Sequence, residues 1–367
     1  MNRAESSDKV EGLYSTLKER IANGAWSIGE QMPTEQALAR EFDCNRTTIS
    51  KALTRLAHDH LVERRRRTGT RVIRREATAA PEKASLQLDA CAFIYPSDEH
   101  EGIWQTARGF QRAAHASDRR SILLTTGLDA RKEAEIIERL GEFDVKGAVL
   151  YPVATDPEME LHYRQMILAC PFPVVLVELN FPGAQRPSVV SDGLHAGYTM
   201  TRYLIEQKAT RIGFVTNYAS ASYLRDRYLG YRQAMNEAGL GEGFAHLEPS
   251  MHPDFADPLR ENAAVARVFL EKYPDVEAVV ATTDFMAWGV IRAARELGRR
   301  VPEDLKVVGI DDYQQHAHDT LPLTTYHIPY TEMGRQAFLQ LNQILSGQFP
   351  AAQETQLRGH LIVRQSA

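Results

Sequence analysis

The stretch PTEQALAREFDCNRTTISKAL, from Pro33 to Leu53, decides the fold of the N-terminal part of the chain. Thr34 is a residue type that caps helices, and the apolar residues after it recur at helical spacing, so a short amphipathic helix is expected to begin there. The segment Asp43-Cys44-Asn45 interrupts this pattern, and Asn45 can cap a second helix. Two short helices separated by such a break predict a helix-turn-helix. We expect the buried stripe of the second helix to contain Ile49, Ala52, Leu53 and Leu56.

The start of the second helix carries side chains that are suited to DNA. The N-terminal residues of a recognition helix contact base edges in the major groove, where an arginine can donate two hydrogen bonds to guanine and hydroxyls contact bases or phosphates. We therefore predict that this helix reads a DNA sequence. The polar residues left exposed near its start are Arg46, Thr47, Ser50 and Lys51.

The segment after the second helix predicts a wing. Leu61-Val62-Glu63 and RRRRTGTRVIRR, from Arg64 to Arg75, indicate two short strands joined through Thr68-Gly69. Its cationic side chains would lie along phosphates, and the turn would enter a minor groove. An isolated charge run is more often a solvated loop, but its position directly after a helix-turn-helix favours contact with DNA. The arginines assigned to this contact are Arg64, Arg65, Arg66, Arg67 and Arg71.

Length and charge indicate a chain in two parts. Its 367 residues exceed the size that one core usually supports, so two or three domains are expected. Residues 1–76 contain 15 Lys and Arg against 11 Asp and Glu, a net charge of +4, whereas the remaining residues contain 28 against 37, a net charge of −9. This asymmetry is typical of a DNA-facing head attached to a body that phosphate repels.

Cysteine spacing and hydropathy exclude several classes of protein. Cys44, Cys91 and Cys170 are widely spaced, so neither a disulfide framework nor a zinc site is predicted. His316 and His318 have a spacing that is poor for one helical face, which argues against a metal site there. No apolar run resembles a signal peptide or a membrane span. We therefore expect a cytoplasmic protein with no membrane association, no metal and no cofactor.

From about Leu88 onward, short apolar runs alternate with amphipathic stretches. This alternation predicts two doubly wound parallel sheets, each covered by helices on both faces. A ligand would then bind in the cleft outside the carboxyl ends of the strands. The expected strands are ACAFIY, SILLTT, GAVLYP, PVVLVE, RIGFVT, AVVATT and KVVGID, with helices such as IWQTARGFQRAAH, DARKEAEIIERLG, HAGYTMTRYLIEQ and FMAWGVIRAARELG between them.

Residues from about Lys9 to Arg74 resemble the winged helix-turn-helix of the GntR family of bacterial repressors. The likeness covers a first helix LYSTLKERIANG, from Leu13 to Gly24, the short strand and turn SIGEQMPTE, the helix NRTTISKAL and the wing ending TGTRVI. It implies an α+β DNA-binding head. The residues that the resemblance places on DNA are Thr34, Arg40, Asn45, Arg46, Thr47, Thr48 and Gly69.

From Leu88 to Ser366 the chain resembles the periplasmic-binding-protein-like effector domain of the LacI and GalR repressors. The segments SDGLHAGYTMTRYLIEQ, RDRYLGYRQAMNEAGL and VPEDLKVVGIDD carry the likeness. A GntR-type head on such a body is the arrangement of the AraR-like subfamily. We expect a winged helix-turn-helix domain at residues 1–75, a small polar linker at 76–87, and an effector-binding and dimerisation domain of two α/β lobes at 88–367.

The resemblance also implies residues that bind a ligand. A buried carboxylate that accepts from sugar hydroxyls, together with an arginine donor, is the usual polar solution for a sugar. Asp284 and Arg227 match such positions, and their alternatives are a helix N-cap and a surface helical arginine. Asp192 matches a ligand-facing acid or an N-cap, and Asp311 a hydroxyl acceptor or a hinge or capping residue. Ser97 is a candidate donor near the mouth of the cleft.

These features predict a dimeric transcription factor that binds double-stranded operator DNA, and they favour a repressor whose operator affinity changes when a sugar or a related small polar effector binds. The alternative ligands are a purine, a phosphosugar or a partner protein. Trp104 and Trp288 are candidates for ring stacking or for packing in the core or an interface. The rival class, a sugar-modifying enzyme, is disfavoured because no nucleophile elbow, zinc motif, phosphate loop or dinucleotide glycine pattern occurs in a strand-to-helix context.

Overall fold

The computed structural model divides the chain into two compact units, Met1–Gln87 and Leu88–Ala367. The first is called the head and the second the body. The predicted wing residues Arg66 and Arg67, the linker at 76–87 and the His316/His318 pair lie outside the described residues. The structure describes residues 3–65, 69–73, 89–97, 100–127, 130–152, 157–181, 183, 185–217, 219, 221–248, 258–313, 321–348, 350 and 352–367.

The head contains a helix-turn-helix followed by a two-stranded antiparallel wing, which confirms the predicted fold. Its first helix is longer than expected, because the polar residues before Leu13 continue the helix without adding apolar periodicity. The segment expected as a short strand contributes one bridge, between Gln31 and Arg71. The elements are α1 (Arg3–Ala22), α2 (Glu35–Glu41), α3 (Arg46–His58), β1 (Val62–Arg65) and β2 (Gly69–Val72).

Local capping explains where the two central helices begin. The side chain of Thr34 accepts a hydrogen bond of 3.2 Å from the backbone N–H of Ala37, and that of Asn45 accepts one of 2.8 Å from the N–H of Thr48. Helix α3 then buries an apolar stripe against α1 and the wing, and α2 packs on α3. The core of the head contains Leu13, Leu17, Ile21, Leu38, Ile49, Ala52, Leu53, Leu56, Leu61, Val62 and Val72.

The first lobe of the body is built on a six-stranded parallel sheet with the strand order β13-β7-β6-β5-β3-β4. Its three central strands, β3, β5 and β6, are predominantly buried apolar runs, as the sequence predicts for a sheet covered on both faces. The strands are β3 (Ala90–Tyr95), β4 (Arg120–Thr125), β5 (Val145–Leu150), β6 (Val174–Val177), β7 (Ser188–Ser191) and β13 (Glu354–Leu357), and the helices are α4 (Glu101–Ala116), α5 (Ala130–Arg139), α6 (Pro157–Ala169) and α11 (Tyr330–Leu345).

The second lobe has a sheet with the order β14-β12-β11-β10-β8-β9, in which the β12–β14 pair is antiparallel and the other pairs are parallel. The antiparallel edge strand departs from the expected wholly parallel sheet. The strands are β8 (Ile212–Thr216), β9 (Phe244–Leu247), β10 (Ala278–Ala281), β11 (Lys306–Asp311), β12 (Thr324–His327) and β14 (His360–Ile362), and the helices are α7 (Gly193–Glu206), α8 (Ser222–Glu237), α9 (Pro258–Lys272) and α10 (Asp284–Glu296).

Five of these strands were not predicted as strands. Three of them, β7, β12 and β13, contain serine, threonine or glutamine in runs of four residues, and such short polar runs have no strong strand signal. The other two, β9 and β14, are short strands at the sheet edge. Pairing with apolar neighbours, rather than local composition, places these segments in the sheets.

The chain passes between the two lobes three times, and we call these passages the crossovers. The first lies between β7 and α7, the second between β12 and α11, and the third between β13 and β14. Helix α11 packs on α4 and on three strands of the first lobe, whereas α7 packs on strands of the second. No helix in the described part of the chain is both long and apolar enough to cross a bilayer.

Helices α4 and α11 cross at very short range through two glycines. A Cβ atom at Gly109 would lie 1.9 Å from the carbonyl oxygen of Thr331, and one at Gly334 would lie 1.8 Å from the carbonyl oxygen of Thr106. Since both obstructing atoms belong to backbone, neither helix can accept a side chain without moving. This contact fixes α11 on the first lobe directly after the second crossover.

We predict that Gly109→Ala lowers the free energy of unfolding of the body by about 1 to 3 kcal/mol, because the added methyl group separates α4 from α11. Gly12→Ala is the control, since Gly12 lies in α1 with no atom within 4 Å of an added Cβ, and alanine there should stabilise its helix by up to about 1 kcal/mol. Urea unfolding would measure both, and an equal response of the two variants would contradict the close crossing.

Candidate functional site

The start of α3 and the wing form an exposed polar face on the head. Among the residues predicted to contact DNA, Thr48 is half-buried, and its backbone N–H and its hydroxyl both donate to Asn45 at 2.8 Å. The side chain of Asn45 therefore acts as the helix cap, in addition to any contact with DNA. The predicted residues that are exposed are Thr34, Arg40, Asn45, Arg46, Thr47, Arg64, Arg65, Gly69 and Arg71.

A carboxylate that the sequence did not single out organises this face. Glu35 accepts a hydrogen bond of 2.9 Å from Nε of Arg46, whose side chain is 76% exposed, and also contacts Nη2 of Arg64. The hydrogen bond from Arg46 and, to a smaller extent, the charge of Arg64 lower the pKa of Glu35. Glu35 is therefore ionised at neutral pH and links α2 to both α3 and the wing.

The wing arginines differ in their partners. The guanidinium of Arg64 lies against α3, where it donates to the carbonyl oxygen of Ser50 at 3.2 Å and to the hydroxyl of Thr54 at 2.5 Å. Arg65 pairs with Glu63 at 3.0 Å. Arg64 thus braces the wing against the helix, a role that the sequence interpretation of a phosphate-contacting run did not include. Gly69 begins β2 with a φ of +87°, a conformation that favours glycine.

In the body, Arg227 and Asp311 form a buried ion pair at the carboxyl ends of the second-lobe strands. Nη2 of Arg227 lies 3.2 Å from Oδ1 of Asp311, and both side chains are 2% exposed. Nη1 of Arg227 donates to the carbonyl oxygen of Thr282, and the hydroxyl of Tyr330 donates to Asp311 at 2.8 Å. The alternative of a surface arginine at 227 is therefore wrong.

Asp284 lies beside this pair but does not cap its helix. The cap of α10 is Thr283, whose side chain accepts a 3.1 Å hydrogen bond from the N–H of Met286, so the N-cap interpretation of Asp284 is wrong by one residue. The carboxyl of Asp284 is 1% exposed and accepts from the hydroxyl of Thr325 at 2.5 Å and from the N–H of Tyr313 at 2.8 Å. Asp284 faces inward, at the end of the sheet.

Burial shifts the pKa values of these groups strongly. It raises the pKa of Asp284 from its ordinary value of 3.8 to about 8, and the neighbouring charge of Asp311 adds to the effect. It raises the pKa of Asp311 to about 6 against the opposing charge of Arg227. Perturbed carboxyls in a cleft are typical of functional sites.

Asp192 lies at the first crossover and caps α7, which confirms the N-cap interpretation. Its Oδ1 caps α7 by accepting from the N–H of His195 at 2.9 Å. Its Oδ2 accepts from Nε of Arg358 at the third crossover, also at 2.9 Å. Ser97 is half-buried shortly after β3 of the first lobe.

Sequence reasoning missed several polar residues that follow strands of both sheets. Glu178 is buried after β6, accepts from the hydroxyl of Ser191 at 3.0 Å, and has a pKa raised by burial. Burial and the charge of Arg227 lower the pKa of His100 to about 4. Glu178 directly follows a strand, and His100 lies at the start of the helix that follows one. Within the described residues, the buried atoms at these strand ends with no hydrogen-bond partner are His100 Nδ1, Glu178 Oε1, Asn217 Oδ1, Thr282 Oγ1 and Asp311 Oδ2.

Aromatic rings from both lobes lie beside these buried polar residues. The ring of Tyr313, after β11, packs edge-on against His100 of the first lobe with centroids 5.4 Å apart, and against Phe285 at 5.4 Å. Trp288 is buried in the core, so it is no exposed stacking platform. Trp104 is 41% exposed on α4 and lies under the guanidinium of Arg108 at 4.4 Å.

Comparison with known proteins identifies both units. Residues 9–72 match the family described as bacterial regulatory proteins, gntR family, and residues 201–367 match the periplasmic binding protein-like domain. The chain is a transcriptional regulator that combines a gntR-type DNA-binding domain with a periplasmic binding protein-like domain. The regulator is 25% identical over 353 residues to the arabinose metabolism transcriptional repressor of Geobacillus stearothermophilus, covering 92% of each chain.

Two further proteins are similar to the regulator. The regulator is 29% identical over 218 residues to the transcriptional repressor PurR of Vibrio atlanticus, covering 59% of this chain and 63% of that one. The solved structure of the regulator CelR in complex with cellobiose shares its fold with a TM-score of 0.66 and 23% identity, covering 92% of this chain and all of that one. These relatives are transcriptional regulators.

The raised pKa of Asp284 makes stability depend on pH. The folded chain binds this proton more tightly than the unfolded chain, so the associated stability is complete below about pH 4 and is lost as the pH rises toward 8. We predict that Asp284→Asn makes the decline in unfolding free energy between pH 5 and 8 shallower, by up to about 1.4 kcal/mol per pH unit.

Urea unfolding at several pH values tests this prediction, with Asp304→Asn as the matched control. Asp304 is a surface carboxylate whose pKa is lowered by hydrogen bonds from Arg300, so its proton linkage lies below pH 4. The control should shift stability equally at pH 5 and pH 8. A wild-type slope in the Asp284→Asn variant would mean that Asp284 is ionised throughout this range.

Proposed function

We propose that this regulator is a repressor whose operator affinity changes when a sugar or a related small polar effector binds between the lobes of its body. The observation that supports this most directly is the set of buried, unpartnered polar atoms at strand ends of both sheets, including Glu178 Oε1 in the first lobe and Asp311 Oδ2 in the second. A polyhydroxyl ligand would supply hydrogen-bond partners to such atoms, which are costly when unsatisfied.

For the DNA contacts we propose the exposed face of the head, within a DNA-binding domain at residues 1–75 that a linker at 76–87 joins to the body. Arg46 is assigned to a base edge, because it lies at the exposed start of α3. The remaining assigned residues contact bases, phosphates or the minor groove: Thr34, Arg40, Asn45, Thr47, Thr48, Arg64, Arg65, Arg66, Arg67, Gly69 and Arg71.

For the effector contacts we propose residues from both lobes and the first crossover. Asp284 and Asp311 accept from hydroxyls or donate when protonated, Arg227 donates, Asp192 bonds the ligand at the edge of the cleft, and Ser97 donates from the first lobe. To these the geometry adds Glu178 and His100, whose unpartnered atoms lie at first-lobe strand ends.

Charge in this cluster bears on the alternative ligands. Arg227 is the one cation among Glu178, Asp284, Asp311 and Arg227, and it is already paired with Asp311, which disfavours an anionic phosphosugar. A purine is a stronger alternative than a phosphosugar. The aromatic rings around Tyr313 can stack on a base, and PurR is among the relatives. We propose no enzymatic activity, in keeping with relatives that are regulators.

Regulation follows from linkage. If the effector favours a closed body that holds two heads of a homodimer at the wrong separation, operator affinity falls by a coupling free energy of typically about 1 to 3 kcal/mol. The exposed Trp104 on α4 is our candidate for the dimer contact. Because operator DNA of a bacterium lies in the cytoplasm, we place the function there.

Two measurements test this function. A random duplex library enriched on the full-length protein should yield a palindromic sequence, as a dimer requires. A thermal-shift screen with neutral monosaccharides, disaccharides, purines and phosphosugars should find a stabilising neutral sugar, which then alters binding to the enriched duplex. Stabilisation by purines alone would replace the sugar with a purine effector, and failure to enrich any sequence would contradict a sequence-specific regulator.

We predict that Arg46→Ala loses about 1 to 3 kcal/mol of discrimination at one base pair in each half-site, as for a guanine contact. Arg55→Ala is the control, since Arg55 lies in the last turn of the same helix and pairs with Glu11. Binding titrations with single-base variants of the enriched duplex measure both. Unchanged base preference in Arg46→Ala would exclude the assigned contact.

For the cleft, we predict that Asp284→Asn weakens effector binding about tenfold or more while operator affinity stays close to wild type, giving a repressor that the effector does not release. The control is Thr283→Ala at the adjacent residue, which removes the true cap and costs about 1 kcal/mol of stability without changing effector affinity. Calorimetric titration measures the effector affinity of both variants. If Asp284→Asn binds the effector as tightly as Thr283→Ala does, Asp284 does not contact the effector.

A further inference from the structure

We propose that Glu35 restrains the DNA-reading arginines and thereby sets the ratio between operator binding and non-specific DNA binding. This inference rests on the proposed DNA-reading face of the head. It assigns a specificity-determining role to a residue whose own contacts are within the protein.

The geometry places one carboxylate between two elements that meet DNA. Oε2 of Glu35 lies 2.9 Å from Nε of Arg46 at the start of α3, and Oε1 contacts Nη2 of Arg64 in β1. Arg64 also donates to the carbonyl oxygen and hydroxyl of Ser50, both at 3.2 Å. The reading helix and the wing are therefore joined through a negative charge on the face that phosphates approach.

This arrangement penalises non-specific binding more than operator binding. Non-specific affinity comes almost entirely from the attraction between cations and phosphates, so a carboxylate that occupies Arg46 and Arg64 removes part of that attraction and adds repulsion. At an operator, Arg46 gains two hydrogen bonds to guanine in exchange for its bond to Glu35. The carboxylate also holds Arg46 in place before DNA arrives, which reduces the entropy lost on binding.

The restraint is exchangeable because it is exposed. The side chain of Arg46 is 76% exposed and that of Glu35 is 21% exposed, so solvent screens the pair and DNA can reach it. A buried pair in the same position would lock the arginine away from the major groove.

The test compares full-length wild type with Glu35→Gln, which keeps the shape of the side chain and removes its charge. The probes are a 30-base-pair duplex of random sequence and a duplex enriched from a random library on the wild-type protein, each titrated between 50 and 200 mM salt. The control is Glu11→Gln, which removes the same charge from a carboxylate that pairs with Arg55 at the far end of α3.

Glu35→Gln should bind the random duplex about five- to thirtyfold more tightly at low salt. The slope of log affinity against log salt concentration should be steeper by about 0.9 for each released arginine that gains a phosphate contact. Affinity for the enriched duplex should rise by less than about threefold, so that the specificity ratio falls. Glu11→Gln should change both affinities alike, and by less than about twofold.

Three results would overturn the proposal. An unchanged random-duplex affinity with weaker enriched-duplex binding would make Glu35 a base-reading residue, for example one that accepts from cytosine. Weaker binding of both duplexes would make it a structural residue of the head. An equal effect of Glu11→Gln would mean that the change in net charge alone explains the effect of Glu35→Gln. Failure of the wild type to bind any duplex is a different outcome, which contradicts the proposed function itself.

Discussion

The buried ion pair between Arg227 and Asp311 is the interaction on which the body depends. Removing both charges from water is costly, and their attraction offsets that cost only with good geometry and additional hydrogen bonds. The structure supplies those bonds from the carbonyl oxygen of Thr282 and the hydroxyl of Tyr330. Since Thr282 follows β10, Asp311 ends β11 and Tyr330 begins α11, the pair ties the strand ends of the second lobe to the helix that returns to the first.

The three crossovers meet in a second polar network. Asp192 at the first crossover binds Arg358 at the third, and the hydroxyl of Tyr326 in β12 accepts from the N–H of Gly359 at 2.9 Å and lies 2.7 Å from Nδ1 of His195. Because the covalent connections and these bonds occur in one region, we expect relative motion of the lobes to be a rotation about it. In the proposed function, a ligand that bonds residues of both lobes biases that rotation.

The sequence predicted those features that depend on local pattern. Thr34 and Asn45 cap their helices as expected, because a capping side chain bonds a backbone group only three residues away. The roles of the adjacent residues Thr283 and Asp284 were harder to predict, since both are residue types that cap helices. Their roles differ through burial, which the sequence does not show. Glu178 and His100 follow strands of the first sheet, and nothing near them in sequence shows that these strand ends face Arg227. Their roles follow from the tertiary fold, which brings these residues close to Arg227.

An arginine held by a carboxylate occurs in both halves of the regulator, and burial gives the two pairs opposite uses. The pair of Arg46 and Glu35 is exposed and worth at most about 1 kcal/mol, so phosphates and bases can replace the carboxylate at little cost. Breaking the pair of Arg227 and Asp311 would leave a buried charge uncompensated at a cost of about 3 to 5 kcal/mol, so an effector must bind around it. In the proposed function, the head therefore exchanges its ion pair for contacts with DNA, and the body keeps its ion pair while the lobes close.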